Sequence, residues 1–222
     1  MDSSTHQISR FGLVNAYLVR EDDGLTLIDC ALPRSQGAIL AAARELGAPI
    51  VRIALTHAHG DHVGALDALA GQLGDVEVLI TERDAALLAG DSSLRPGEPG
   101  KVRGSVRGVK TRPTRTVSAG ERVGSLEVVA SPGHTPGHVA FLDTRDRTLY
   151  CGDAYSTLGG VATSAKPNWR FPLPAMATWH RPTALRSARE LRALDPAALA
   201  PGHGKVVEAP GAQMDQAIAA AA

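Results

Sequence analysis

The hydrophobic pattern of the chain changes period several times, and each change predicts an element. Apolar runs at 12–19 and 25–30 read as two strands, with Asp22-Asp23-Gly24 between them as a hairpin turn. Pro33 and Ser35 open a helix that carries Ile39, Ala42, Ala43 and Leu46 at helical spacing and stops at Gly47. Residues 50–55 form a continuous apolar run, the pattern of a strand covered on both faces. A helix with Val63, Leu66, Leu69, Ala70 and Leu73 as its inner stripe follows. Residues 76–80 predict a further strand, and 84–88 the start of a further helix.

The second half returns to strand patterns at 123–130, 139–143 and 148–151, with Arg145-Asp146-Arg147 as a turn. Residues 166–174 are Pro-rich and read as loop. Residues 183–194 predict a helix that points Leu185, Ala188, Leu191 and Leu194 inward and Arg186, Arg189 and Arg192 to solvent. A short strand at 197–200 follows. Both halves mix strands with helices, which hints at two similar αβ halves.

Residues 90–116 break the rhythm. They are rich in Pro and Gly and carry Arg95, Lys101, Arg103, Arg107, Lys110, Arg112 and Arg115 against Asp91 and Glu98. Long connections of this kind are functional or mobile segments. One reading is a solvated basic loop; the sharper one is a lid that attracts an anionic substrate group.

At 222 residues the chain is expected to fold as one domain, 1–222, burying about 70% of its unfolded surface. Its 44% hydrophobic and 21% charged residues place it among ordinary globular chains. The 23 basic and 23 acidic residues cancel, so no global field draws the protein to nucleic acid or an anionic membrane. Cys30 and Cys151 are too few for a disulfide framework and suit a reducing compartment. No secretory pattern opens the chain, and no apolar run approaches the roughly 20 residues of a membrane span. The expectation is a cytoplasmic protein, monomer or homodimer, acting on a small molecule.

Candidate chemistry concentrates at 56–62, Thr-His-Ala-His-Gly-Asp-His, directly after an apolar strand. Imidazole and carboxylate are common ligands of zinc and similar divalent ions. The spacing is neither that of a Cys-rich structural site nor the i, i+4 pair of a zincin helix. Three more candidates sit at later strand ends, each after a glycine: His134 in Ser-Pro-Gly-His-Thr-Pro-Gly-His, Asp153 in Tyr-Cys-Gly-Asp-Ala-Tyr, and His203 in Ala-Pro-Gly-His-Gly. Any one of them alone would read as a cap or a hydrogen-bonding residue. The run at 57–62 changes that, because its four potential ligands need partners. His57, His59, Asp61, His62, His134, Asp153 and His203 make seven groups, about what two metal ions require.

This order of motifs, H-x-H-x-D-H, G-H-T-P-G-H, G-D and G-H-G, resembles the metallo-β-lactamase superfamily, and within it the glyoxalase II-like and lactonase-like hydrolases. The likeness runs from about Asn15 to His203. Asn-Ala-Tyr-Leu-Val at 15–19 and Leu-Ile-Asp at 27–29 match the family's opening hairpin. The implied fold is α/β (α+β), a four-layer αββα sandwich with a metal centre at one edge of its sheets. The implied ligand sets are His57, His59 and His134 for one ion and Asp61, His62 and His203 for the second, with Asp153 bridging.

The cofactor implied is two divalent ions, zinc first, with manganese or iron also suited to these ligands. Such a pair lowers the pKa of a shared water to about 7, supplies a metal-bridging hydroxide and polarises a carbonyl. Asp61 would ligate and also orient the nucleophile. Asp29, ending a strand, reads either as an acceptor for the free N–H of a ligand histidine or as a plain turn cap. His138 is expected to hydrogen-bond backbone, and Ser131 to serve a turn. Tyr155 is a catalytic candidate that could reach the substrate oxygen, as a tyrosine does in lactonase-like members. His180, Trp169 and Trp179 lie where substrate contacts could arise, although packing is the default role for the two tryptophans.

The expected activity is therefore metal-dependent hydrolysis of an ester, thioester or lactone. A bridging aspartate in place of a cysteine argues against a β-lactamase of the zinc-cysteine kind. The 19 residues after His203 leave no room for the helical domain that helps glyoxalase II bind glutathione. The alternative class is an oxidoreductase similar to the mononuclear iron persulfide dioxygenases, which keep similar ligands but bind one iron.

Overall fold

The strands are short and mostly buried on one or both faces, and their pairing explains where the candidate ligands end up. The structure is a computed structural model that describes residues 5–106 and 108–222; Arg107 of the basic segment lies outside the described residues. The first sheet contains β1 (Thr5–Arg10), β2 (Val14–Glu21), β3 (Gly24–Ile28), β4 (Ile50–Ala54), β5 (Glu77–Thr81) and β6 (Arg115–Val117), in that spatial order. β1, β2 and β3 pair antiparallel, and β3 to β6 run parallel. The second sheet contains β7 (Arg122–Val123), β8 (Leu126–Ala130), β9 (Val139–Asp143) and β10 (Thr148–Gly152). A two-stranded ribbon of β11 (Tyr155–Ser156) and β12 (Ala162–Thr163) follows. β13 (Ala198–Pro201) and β14 (Val207–Glu208) complete the second sheet, in the order β14-β13-β10-β9-β8-β7.

The first sheet's outer face carries α1 (Gln36–Leu46), α2 (Leu66–Leu73) and α3 (Glu82–Leu88). Ile39, Leu66, Leu69 and Leu87 pack there on Leu18, Leu27, Ile53 and Ile80. The short α4 (Leu173–Ala177) precedes α5 (Arg181–Ala193), and α6 (Gly211–Ala221) ends the chain. α5 and α6 cover the second sheet, with Ala188, Leu191 and Met214 against Leu142, Leu149 and Leu199. Between the sheets lies a third core of Tyr17, Ile28 and Leu79 against Val128, Phe141 and Tyr150. Two helical layers around two sheets give the αββα sandwich that the motifs imply. Among the described residues no helix is long and apolar enough to cross a membrane.

Several details depart from the pattern. The run at 123–130 is not one strand: Gly124, at φ 61°, turns it into the β7–β8 hairpin. The stripe beginning at Val63 becomes helical only at Leu66, because 57–65 is occupied by the ligand loop. β1, α4 and α6 carry no clear periodic signal; α6 is an Ala-rich helix that buries Met214 and Ala217. Gly47 closes α1 as its composition predicts, in the left-handed region at φ 68° with its N–H on the last helical carbonyls.

Candidate metal centre

The strand registers deliver the candidate residues to one edge of the sandwich. β3 and β4 are parallel with Ile28 opposite Ala54, so Asp29 and Thr56 leave the sheet side by side. β10 and β13 are parallel with Gly152 opposite Pro201, so Asp153 and His203 do the same in the second sheet. The loop between β8 and β9, which carries His134 and His138, turns back at that edge. Asn15 and Tyr17 of β2 staple the two sheets together here. Asn15 Nδ2 donates to the carbonyls of Pro201 and Gly204, and Tyr17 Oη donates to Pro201 O at 2.7 Å. That is the structural use of the Asn-Ala-Tyr segment.

All seven candidate ligands come together. The ring nitrogens of His57, His59 and His134 form one set within 4.8 Å of one another, and Asp61, His62 and His203 form another. Asp153 spans the two: Oδ2 lies 3.4 Å from His134 Nε2 and 3.1 Å from His203 Nε2, and Oδ1 lies 3.2 Å from His62 Nε2. Six of the seven are buried, and Asp61, its side chain 36% exposed, faces solvent.

Hydrogen bonds on the far side of each ring fix its tautomer. His62 Nδ1–H donates to Asp29 Oδ2 at 2.8 Å. His203 Nδ1–H donates to Leu13 O, and His59 Nε2–H to Arg103 O, both at 2.8 Å. Thr178 spends its hydroxyl proton on Pro174 O, so His134 Nδ1–H donates to Thr178 Oγ1. Thr56 Oγ1 likewise donates to Asp29 Oδ2, so His57 Nδ1–H donates to Thr56. In the neutral form of each ring the inward nitrogen is therefore the acceptor, and His203 Nε2 lies 3.1 Å from Asp153 Oδ2. His59 Nδ1 and His134 Nε2 face each other at 2.9 Å, while His57 Nε2, His62 Nε2 and Asp153 Oδ1 are buried with no hydrogen-bond partner. Buried acceptors directed at one another need a cation or a proton between them. These imidazole and carboxylate donors fit a divalent metal ion.

Electrostatics divide the rings in the same way. Burial, then the neighbouring imidazoles, hold His57 well below the usual histidine range. Burial does the same to His134, against the pull of Asp153. Burial opposes charge on His62 and His203 too, but Asp153 and the other carboxylates outweigh it and raise both. Asp153 stays well below the carboxylate range despite its burial, because His203 and His62 flank it.

Asp29 is the expected outer acceptor, taking Thr56 N at 2.8 Å on its other oxygen. His138 stands beside the ligands without joining them: Nε2 accepts Asp153 N–H at 3.1 Å and Nδ1–H donates to Ser131 Oγ. Burial pushes it down to about 3, so it stays neutral. Ser131 stands just before the turn, with its N–H on His138 O and its hydroxyl accepting His138 Nδ1–H.

The expectation for Tyr155 does not hold. Its ring is fully buried in the core beneath α5, and its hydroxyl donates to Ala188 O at 2.7 Å. Two residues past Asp153 the chain has already turned inward into β11, so this hydroxyl cannot meet substrate. His180 bonds Thr183 at the start of α5, and Trp179 Nε1 donates to Pro99 O. Trp169 is 83% exposed.

Residues 90–116 do reach the centre, through backbone. Besides the Arg103 carbonyl, Ser105 O accepts Gly60 N–H at 2.8 Å, and Gly104 packs so closely on His59 that a Cβ would overlap the ring. Of the described cations of this segment, Arg95 pairs with Glu82, Arg115 with Glu77 and Glu121, and Arg112 donates to Val109 O.

One residue carries a role that its sequence position hides. Asp84 of α3 is fully buried, and its carboxylate accepts Ala58 N–H at 3.1 Å, Thr135 Oγ1–H at 2.7 Å and Gly137 N–H at 2.8 Å. It thus ties the His57–His59 loop to the His134 loop. Burial pushes it up to about 6. Its sequence signal, an acid in the first turn of a helix, looks like ordinary capping.

Comparison with known proteins agrees with this geometry. The family model described as the metallo-beta-lactamase superfamily matches residues 9–203. The chain is 48% identical to the uncharacterized protein YobT of Bacillus subtilis (strain 168), covering 92% of this chain and 89% of that one. It is 30% identical to the probable metallo-hydrolase YflN of the same strain, covering 86% and 81%. A hydroxyacylglutathione hydrolase of Rhodospirillum rubrum is 32% identical over 69% of this chain, which spans only 52% of that enzyme. Among solved structures, TTHA1623 in a di-iron-bound form superposes with a TM-score of 0.68 at 28% identity, covering 93% and 94%. The B3 metallo-beta-lactamase BLEG-1 superposes at 0.72 with 20% identity over 95% and 96%, a likeness of fold alone.

Proposed function

The chain belongs to the metallo-β-lactamase superfamily, and on that premise we propose that it is a dinuclear metal-dependent hydrolase of an ester, thioester or lactone carbonyl. The observation that carries the proposal is the pair of converging ligand sets, joined by Asp153, in which His57 Nε2, His62 Nε2 and Asp153 Oδ1 are buried with no hydrogen-bond partner. His57, His59 and His134 would hold one ion, Asp61, His62 and His203 the other, and Asp153 would contact both. The proposal treats 1–222 as one domain. When bound, divalent ions polarise a carbonyl and lower the pKa of a ligated water to about 7.

The chain's own groups supply position. Asp61, the ligand open to solvent, lies 3.5 Å from His203 Nε2 and 4.0 Å from His62 Nε2 through Oδ2. Its carboxylate accepts a hydrogen bond from the attacking water and orients it toward the carbonyl. Asp29, Thr178 and the carbonyls of Leu13 and Arg103 keep the imidazoles aligned, one nitrogen of each facing the centre. His138 holds the Asp153 backbone in place. With Tyr155 in the core, no tyrosine hydroxyl takes part.

Imidazole and carboxylate ligands admit zinc, manganese or iron, and a 28%-identical structure holds two irons. The intact Asp61–His62–His203 set favours two ions over a one-iron oxygenase site. The test is metal quantification on purified protein, followed by a panel of thioesters, lactones, esters and a chromogenic cephalosporin. Two ions per chain with ester, thioester or lactone cleavage is expected. One iron per chain with oxygen uptake, or no cleavage by metal-replete protein, would overturn the proposal.

A further inference from the structure

The large apolar side chains described as exposed are Phe11, Leu13, Leu94, Trp169, Leu173 and Met176. They fall on three segments, each of which also carries a residue that contacts a candidate ligand imidazole; Leu173 and Met176 line the cavity beside Asp61, and Trp169 lines another against α6. The turn bearing Phe11 and Leu13 offers Leu13 O to His203. The segment bearing Leu94 offers Arg103 O to His59. The third, bearing Trp169, Leu173 and Met176, places the Phe171 ring 5.2 Å from the His203 ring and Thr178 on His134. Scattered exposed apolar residues need no explanation, but their collection on segments around one site does.

A cavity of about 540 Å³ opens beside Asp61, a size typical of small-molecule sites. Its apolar wall includes Leu32, Pro33, Leu173 and Met176, and Asp61 is the charged residue lining it. No Lys or Arg is among its described lining residues. The basic segment that could have drawn an anion gives this cavity Gly104 and Ser105, while Arg95 and Arg115 are paired elsewhere. Leu173 and Met176 stand 60% and 59% exposed on α4.

We propose that this rim binds the hydrocarbon part of the substrate: an uncharged ester, thioester or lactone bearing an alkyl or acyl chain, rather than an anionic conjugate. The proposal rests on the hydrolase reading for the reacting carbonyl, but the apolar wall is an independent observation. Each methylene moved from water onto it should raise kcat/KM about fourfold.

The test uses metal-loaded protein and two series of chain length C2 to C8: p-nitrophenyl esters for turnover and n-alkanoates for calorimetric binding. A rise of about fourfold per methylene is expected in both. In the double variant Leu173→Gln, Met176→Gln the slope should fall below twofold per methylene; both sites are more than half exposed, so the fold tolerates the change. A flat series, a preference for hydroxyacylglutathione, or an unchanged slope in the double variant overturns the proposal. So does dimerisation through these residues without any slope, which would assign the rim to a second copy of the chain. A slope in alkanoate binding without cleavage of any ester retires the hydrolase reading and keeps this one. Cleavage without a slope does the reverse.

Discussion

Replacing Asp84 separates burial from hydrogen bonding at the joint between the two ligand loops. Asp84→Ala leaves Ala58 N–H and Gly137 N–H without their acceptor in a fully buried site; the Thr135 hydroxyl can rotate. At about 1–3 kcal/mol for each orphaned donor, the loss is on the order of 2–6 kcal/mol. For a chain of this length that lowers Tm by roughly 5–20 °C. Asp84→Asn keeps one acceptor oxygen and turns its amide toward a donor, so its cost should be about half. The pH dependence has a definite sign. Burial raises the folded carboxyl to about 6, above its unfolded value of about 3.9. The folded state therefore binds this proton more tightly. The stability it contributes is fully present below about pH 4 and lost as pH rises through 6, a change of at most roughly 3 kcal/mol. Asn cannot ionise. The wild-type minus Asp84→Asn difference, from urea unfolding of chelator-treated protein, should fall between pH 4 and 7, the histidine contributions cancelling to first order. A difference that rises with pH would refute the reasoning, because the three donors would then outweigh burial. Metal titration adds a second check: Asp84→Ala should weaken the His57–His59–His134 set before the other, leaving about one tight ion per chain.

Asp29→Ala removes the acceptor of His62 Nδ1–H and of Thr56 N–H and Oγ1–H; metal affinity should drop 10- to 100-fold in a competitive chelator titration, and unchanged affinity would exclude an orienting role. Gly202→Ala places a Cβ on His62 Cε1 and 2.5 Å from Asp153 Oδ1; metal stoichiometry should fall while circular dichroism keeps the fold, and full occupancy would show that the ligands can yield. Tyr155→Phe loses the bond to Ala188 O; stability should decline by about 0.5–1.5 kcal/mol with kcat/KM within twofold, and a large kcat loss would return the hydroxyl to catalysis.

The ligands were legible because each lies in a short motif at a strand end, where neighbouring residues carry the signal. Asp29 was legible for the same reason, its strand ending on Leu-Ile-Asp. The groups that hold these ligands were not. Leu13 O and Arg103 O are backbone carbonyls, and any residue type could supply them. Asp84 acts across 51 residues to Thr135, a distance that no local pattern spans. Tyr155 was misplaced because proximity in sequence to Asp153 does not fix a side. β11 begins at Tyr155 and aims it at α5, which the sequence alone could not orient. The basic segment's charges are visible in the sequence, whereas its contacts with the centre are made by glycine and main chain.

The outer hydrogen bonds also decide what the centre costs when it has no cation. Five imidazoles donate outward, to a carboxylate, two carbonyls and two hydroxyls whose own protons are committed. No ring can turn its lone pair away without leaving one of those acceptors unpaired. Protons supply one remedy, which is why the carboxylates around Asp153 raise His62 and His203. They serve the other set poorly, since burial and mutual repulsion hold His57 and His134 low. The His57–His59–His134 set thus takes protons poorly, whereas the Asp61–His62–His203 set can hold them. On the two-ion proposal, metal uptake by the second set would displace those protons and uptake by the first would not. The two sets therefore differ through the position of Asp153, Asp29 and Asp61 relative to the rings, although all five rings are the same residue type.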